Sequence, residues 1–126
     1  MGYKVEIKNF EDIPFMEFPT GRRTHVMIGQ NGAIKGQKFC QGFVEIFPGG
    51  SIPEHNHKTV ESYTILEGEG EITVDGVTLP IKKGQYVFME AWQKHSLVNT
   101  GKEKMLMMFV YAPQIVADHW AKEIKS

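Results

Sequence analysis

Apolar and polar residues alternate along this chain in short runs that stop at glycine, proline, asparagine or aspartate. A period of two puts successive side chains on opposite faces of an extended backbone, so the runs predict strands and the stops predict tight turns. Nine strands are predicted: Tyr3 to Lys8, Thr24 to Ile28, Gln41 to Phe47, Val60 to Leu66, Glu71 to Val74, Val77 to Ile81, Tyr86 to Met89, His95 to Val98 and Lys104 to Tyr111. Asp75-Gly76, between Ile72-Thr73-Val74 and Val77-Thr78-Leu79, is the strongest hairpin signal, because both turn residues tolerate positive φ. Pro48-Gly49-Gly50-Ser51, Glu67-Gly68-Glu69-Gly70, Lys83-Gly84 and Asn99-Thr100-Gly101 supply further breaks. The fold class is therefore all-β, a sandwich or a barrel. The stretch from Phe10 to Arg23 carries Pro14 and Pro19 and reads as an ordered connection.

Near the end the period changes. Pro113 suits a first helical position, and Val116, Trp120 and Ile124 recur every four residues, which predicts a short amphipathic helix from Gln114 to Ile124 packed on the exterior. In the strand before it, Met107, Phe109 and Tyr111 form one face and Leu106, Met108 and Val110 the other. Both faces are apolar, so the strand is expected to be covered on both sides: by cavity lining within, and by a helix or a second subunit of a homodimer outside.

Composition bounds the remaining choices. With 126 residues and 41% hydrophobic content, the chain reads as one domain spanning 1–126. A chain of this length buries roughly two-thirds of its unfolded surface, enough for a core without disulfide or structural-metal staples. Fourteen basic residues against 15 acidic ones, with neither sign in a long block, argue against nucleic-acid or membrane-surface binding. A lone Cys40 makes no internal bridge, which fits the cytoplasm. The opening Met1-Gly2-Tyr3-Lys4-Val5-Glu6 lacks an apolar export segment, and no run approaches the ~18 apolar residues of a membrane span. A soluble, unprocessed protein is expected.

Candidate chemistry concentrates in Glu54-His55-Asn56-His57 and Glu61. On a continuous extended chain His55 and His57 face the same way, and Glu61 keeps that parity if no bulge intervenes. Two imidazoles and a carboxylate so arranged hold a divalent metal and leave coordination positions open. His-x-His-x3-Glu arises by accident about 0.02 times in a chain of this composition. Gly49 and Gly68 extend the pattern to Gly-x5-His-x-His-x3-Glu-x6-Gly, which lowers that figure to about 0.0002.

In this stretch the sequence resembles the first motif of small single-domain cupins. The family's second motif, Gly-x5-Pro-x-Gly-x2-His-x3-Asn, is met by Gly84, His95 and Asn99, whereas Glu90 stands in the proline place and Trp92 in that of the second glycine. The loop entering the His95 strand is therefore expected to differ in shape. The two motifs cover Gly49 to Asn99, and the strand and turn pattern extends the resemblance over most of the chain. It implies a double-stranded β-helix (jelly-roll) barrel with a metal on its inner wall, usually as a homodimer, and adds His95 to His55, His57 and Glu61 as ligands to one divalent transition metal: manganese, iron, nickel, cobalt or zinc.

Three neutral imidazoles and one carboxylate leave a net charge of about +1 around such an ion, which favours an anionic or chelating oxygen ligand. Tyr63 shares the parity of Glu61 and should point inward, where its hydroxyl could orient substrate or transfer a proton, although inward tyrosines more often serve packing. Glu90 is a candidate base at the rim. Trp92 is a candidate wall of the mouth or stacking surface. Within Arg22-Arg23, Arg23 is a candidate clamp for a substrate carboxylate. His25 and His119 read as structural. The expected function is a metal-dependent enzyme acting on a small oxygen-rich sugar or carboxylic acid, of isomerase or lyase type. A metal-dependent dioxygenase is the nearest alternative, and a non-catalytic binding module comes from a different class.

Overall fold

The computed structural model describes residues 5–36 and 38–113. Among them, a 3-10 turn at Phe10–Asp12 precedes eleven strands: β1 (Phe15–Phe18), β2 (Arg22–Gly29), β3 (Ile34–Lys35), β4 (Cys40–Ile46), β5 (Ser51–His55), β6 (Val60–Glu67), β7 (Glu69–Val74), β8 (Val77–Lys82), β9 (Tyr86–Met89), β10 (His95–Val98) and β11 (Met105–Ala112). They form two sheets. The larger runs β1-β2-β4-β11-β6-β9, with β3 beside β2, and the smaller runs β5-β10-β7-β8. Every ladder is antiparallel except the short β2–β3 pairing.

The alternation works as expected where both faces of a strand have a neighbour. Met105, Met107, Phe109 and Tyr111 of β11 are buried against Val44 and Ile46 of β4, Ile65 of β6, and Ile52, Ile72 and Leu97 of the smaller sheet. Burying aliphatic side chains of this size contributes about 1.5–3 kcal/mol each, and this inner layer holds the sheets together. The other face of β11, with Leu106, Met108 and Val110, is only half-buried among the described residues. At the β7–β8 hairpin, Asp75 and Gly76 take φ of 47° and 81°, as a two-residue turn with left-handed backbone requires.

Several expectations change. Val5 to Lys8, the described part of the first predicted strand, lies outside both sheets, with Val5 81% and Ile7 85% exposed. Alternation alone does not make a strand without a hydrogen-bonding neighbour. The connection from Phe10 to Arg23 contains β1, bracketed by Pro14 and Pro19. β5 contains Pro53, which lacks a ladder donor and is tolerated because β5 is an edge strand. The predicted helix from Gln114 to Ile124 falls outside the described residues.

The path of the chain positions the site. It leaves the larger sheet after β4, turns through Pro48-Gly49-Gly50, runs along the smaller sheet as β5, and returns as β6. His55 ends β5, His57 lies in the connection, and Glu61 follows the start of β6. The extended chain is thus interrupted between His57 and Glu61, and the parity argument for their convergence does not apply. The crossing from one sheet to the other brings them together instead.

Candidate metal centre

His95 opens β10 directly opposite His55 of β5, while Glu61 approaches from the other sheet. The imidazoles of His55, His57 and His95 and the carboxylate of Glu61 offer four ligand atoms within 4.8 Å of one another. His95 and Glu61 are 2% and 7% exposed, so the deep half of the cluster is shielded from water.

The hydrogen bonds around the rings indicate which nitrogen of each faces the cluster. His55 Nδ1 lies 2.9 Å from the Pro53 carbonyl, and His95 Nδ1 lies 2.9 Å from the Gln93 carbonyl. His57 Nδ1 faces the Thr59 carbonyl at 3.2 Å and the Thr59 hydroxyl at 2.6 Å. Carbonyls only accept, so each Nδ1 carries the proton and each neutral ring has its lone pair on Nε2. Yet His57 Nε2 and His95 Nε2 both lie 3.1 Å from the same oxygen, Glu61 Oε1. Lone pairs of neutral rings facing a carboxylate repel unless a positive centre stands between them, and a single proton serves only one of the two contacts. A cation among the four donors satisfies all of them, and typical nitrogen and oxygen distances of ~2.0–2.2 Å suit a cluster of this width. The residues fit a divalent transition metal.

Electrostatics agree with this donor set. Burial, reinforced by the neighbouring charge of His95, lowers His55 to about 4, so this ring is neutral at physiological pH. Burial pulls Glu61 upward, but the facing imidazoles of His57 and His95 outweigh it and hold the carboxyl ionised. Burial likewise opposes protonation of His57, and Glu61 overcomes it and raises that imidazole. A proton and a metal ion therefore compete for His57 Nε2.

Tyr63 points inward, 2% exposed, with its ring edge-on to His95 at 5.8 Å between centroids. Burial first, then the charge of Glu61, raises its hydroxyl well above the usual phenol range. Glu90 is exposed in the loop between β9 and β10. Trp92, in the same loop, is 62% exposed and has φ of 70°, a region that glycine occupies without penalty and tryptophan rarely enters. Its N–H donates to the His57 carbonyl at 2.8 Å, and its carbonyl accepts from Asn56 Nδ2 at 3.2 Å. The departure from the second motif is thus taken up in the backbone of Trp92, while His95 still reaches the cluster.

Arg23 lies on the outer face of the larger sheet, 3.2 Å from Glu17, and is not brought to the cluster. Its neighbour Arg22 is the buried one, at 1% exposure, with its guanidinium over the Phe18 ring and 2.7 Å from the Thr20 hydroxyl. His25 packs on Phe43 at 4.2 Å outside the barrel and contacts Glu45 at 2.7 Å. His119 falls outside the described residues.

Two residues near the cluster were not predicted from the sequence. Thr59, 1% exposed, orients His57. Tyr111 is the register neighbour of Glu61 on one side and of Cys40 on the other, and it shares a side-chain hydrogen bond with Cys40. Its inward parity on β11 was visible, but its alignment with Glu61 depends on strand pairing.

Comparison with known proteins agrees with this architecture. A family model described as "Cupin domain" matches residues 42–111, more than half of the chain. The chain is 33% identical over 79 residues to a 5-nitrosalicylic acid 1,2-dioxygenase of Bradyrhizobium, covering 63% of this chain and 38% of that protein. It is 38% identical over 64 residues to an oxalate-binding protein of Thermotoga maritima, covering 50% of this chain and 53% of the relative. A dimethylsulfoniopropionate lyase of Ruegeria pomeroyi is 32% identical over 71 residues, covering 56% of this chain and 46% of the relative. The chain thus spans about four-tenths to half the length of these curated relatives. A solved RmlC-like protein of Shewanella frigidimarina superposes with a TM-score of 0.75 at 15% identity, over 92% of this chain and 96% of that one.

Proposed function

This chain belongs to the cupin domain family, and on that premise we propose that it is a metal-dependent enzyme of isomerase or lyase type, acting on a small, anionic, oxygen-rich sugar or carboxylic acid. The observation that carries the reading is the convergence of His55, His57, Glu61 and His95 from two sheets onto one point. One divalent transition metal held there polarises a carbonyl or carboxylate and steadies negative charge developing on oxygen. The chain's own groups supply the rest. Tyr63, which keeps its proton at physiological pH, donates a hydrogen bond from the wall beside His95. Its hydroxyl serves as a hydrogen-bond donor and not as a base. Glu90, exposed in the loop between β9 and β10, is the complementary proton acceptor in this reading.

Two other readings have specific support. The likeness to a dioxygenase favours oxidative cleavage with a redox-active metal, and the likeness to an oxalate-binding protein favours capture of a dicarboxylate without turnover.

Elemental analysis of protein purified without added metal is the first test, with His57→Ala as control. Stoichiometric metal is expected in the parent and lost in the variant; full metal in His57→Ala would remove the basis of the reading. Incubation with small sugars and carboxylic acids, followed by NMR and an oxygen electrode, then separates the three chemistries. Product without oxygen uptake supports isomerase or lyase action, and Tyr63→Phe should lower that turnover about 10²–10⁴-fold with metal content unchanged. Oxygen uptake with ferrous iron would shift the assignment to a dioxygenase, and saturable binding without product would shift it to a binding module.

A further inference from the structure

We propose that Trp92 sets the specificity of the centre, its indole serving as a stacking face for the planar body of an acid whose oxygens are taken by the metal site. The inference rests on the metal-binding reading above and adds a substrate class to it: chelating acids with a flat, unsaturated or aromatic framework.

Three observations carry it. First, Trp92 is held at φ of 70°, where a bulky side chain crowds the backbone and where glycine, asparagine or aspartate would sit more easily. Such a conformation persists only when its surroundings impose it. Here they do. Gln93 Oε1 accepts from the Glu90 N–H at 2.8 Å, and Gln93 Nε2 donates to Asp75 Oδ2 at 3.1 Å. Asp75 Oδ1 accepts from the Lys94 N–H at 2.9 Å, and the Asp75 N–H donates to the Lys94 carbonyl at 2.8 Å.

Second, the fold makes little use of the indole. It is 62% exposed and pairs with no ring among the described residues. The turn uses the Trp92 backbone, which a smaller residue would supply equally well. Third, that backbone is joined directly to the ligand-bearing segment, through the His57 carbonyl at 2.8 Å and Asn56 Nδ2 at 3.2 Å. The backbone that carries a large aromatic ring is thus held, at a conformational cost, one hydrogen bond from the segment bearing His57. An exposed indole face there matches a flat π surface in offset stacking.

The test is calorimetric titration of zinc-loaded protein with two chelating acids, salicylate, which carries a ring, and oxalate, which does not. The variants are Trp92→Gly and Trp92→Asn, which relax the backbone and remove the indole, and Trp92→Phe, which keeps a ring. Salicylate affinity is expected to fall about 2- to 13-fold in the first two, from the energy of one aromatic pair. Oxalate affinity should stay unchanged, and Trp92→Phe should keep most of the salicylate margin. Thermal midpoints of the glycine and asparagine variants should stay within about 5 °C of the parent or exceed it, as the strained conformation is relieved. Equal salicylate affinity with and without the indole would overturn the proposal. So would collapse of both relaxed variants, which would make the indole structural. If zinc-loaded parent protein bound neither acid, the proposed action on chelating carboxylic acids would fail with it, whereas oxalate binding without a Trp92-dependent salicylate margin would sink this proposal alone.

Discussion

Replacing Glu61 with glutamine should push the metal-free and metal-loaded proteins in opposite directions. In the metal-free chain at alkaline pH, Glu61 Oε1 faces two Nε2 atoms at 3.1 Å, and neither neutral ring has a proton to give it. A glutamine with its amide nitrogen in that position donates one N–H to each ring. Two such bonds contribute about 1–3 kcal/mol, since a protein hydrogen bond is worth about 0.5–1.5 kcal/mol net. Unfolding entropy near 2.1 cal/mol/K per residue gives about 0.26 kcal/mol/K for 126 residues, so the thermal midpoint should rise by about 4–11 °C. The metal response should disappear at the same time. In the parent, metal at 100 times its Kd adds about 2.7 kcal/mol, or about 10 °C. The glutamine variant offers no anionic donor and should show little of that shift. Scanning calorimetry in chelator and then with added zinc, both at pH 9, reads the two signs. Because Glu61 raises His57, the charged pair stabilises the parent fully at pH below the free imidazole value and loses that contribution as pH rises through the folded one. The benefit of glutamine should therefore shrink or reverse near pH 6. A lowered midpoint in chelator at pH 9, or a full metal shift in the variant, would refute the donor-balance argument.

Thr59→Ala removes the hydroxyl 2.6 Å from His57 Nδ1 and should weaken metal affinity about 10–100-fold, read by competition with a fluorescent chelator. Outside the barrel, Glu45 is held below its usual value. Burial opposes this shift, but Lys104 at 2.6 Å and His25 at 2.7 Å outweigh it. Its stabilising contribution is present above the unfolded carboxyl value near ~4.3 and lost as pH falls through the depressed folded value. Urea unfolding from pH 7 to pH 3 should show Glu45→Gln less stable than the parent at neutral pH, with the gap closing in acid; a gap independent of pH would contradict the pairing.

Three of the four candidate ligands, His55, His57 and Glu61, were legible in the order of residues because their spacing is one that composition seldom produces, whereas His95 was placed only by the resemblance to the second cupin motif. The all-β class was legible for a similar reason, since alternation is a local property that turn residues punctuate. Arg22 and Arg23 mark where that reading stopped. As neighbours they look interchangeable, and only the pleat of β2 puts one inside the barrel and the other outside beside Glu17.

What the chain's residues determined unaided was therefore periodicity, turn positions and the His55, His57 and Glu61 trio, to which the family resemblance added His95. Tertiary structure decided how the quartet meets: His55 and His95 face each other within one sheet, and Glu61 arrives from the other. It also decided that Thr59 and Tyr111 border the site and that Trp92 is held left-handed beside His57. The division has a physical cause. Spacing and alternation are set by bonds along the backbone, whereas pairing across strands is set by which hydrogen-bond ladders and apolar faces can be satisfied together in the folded chain.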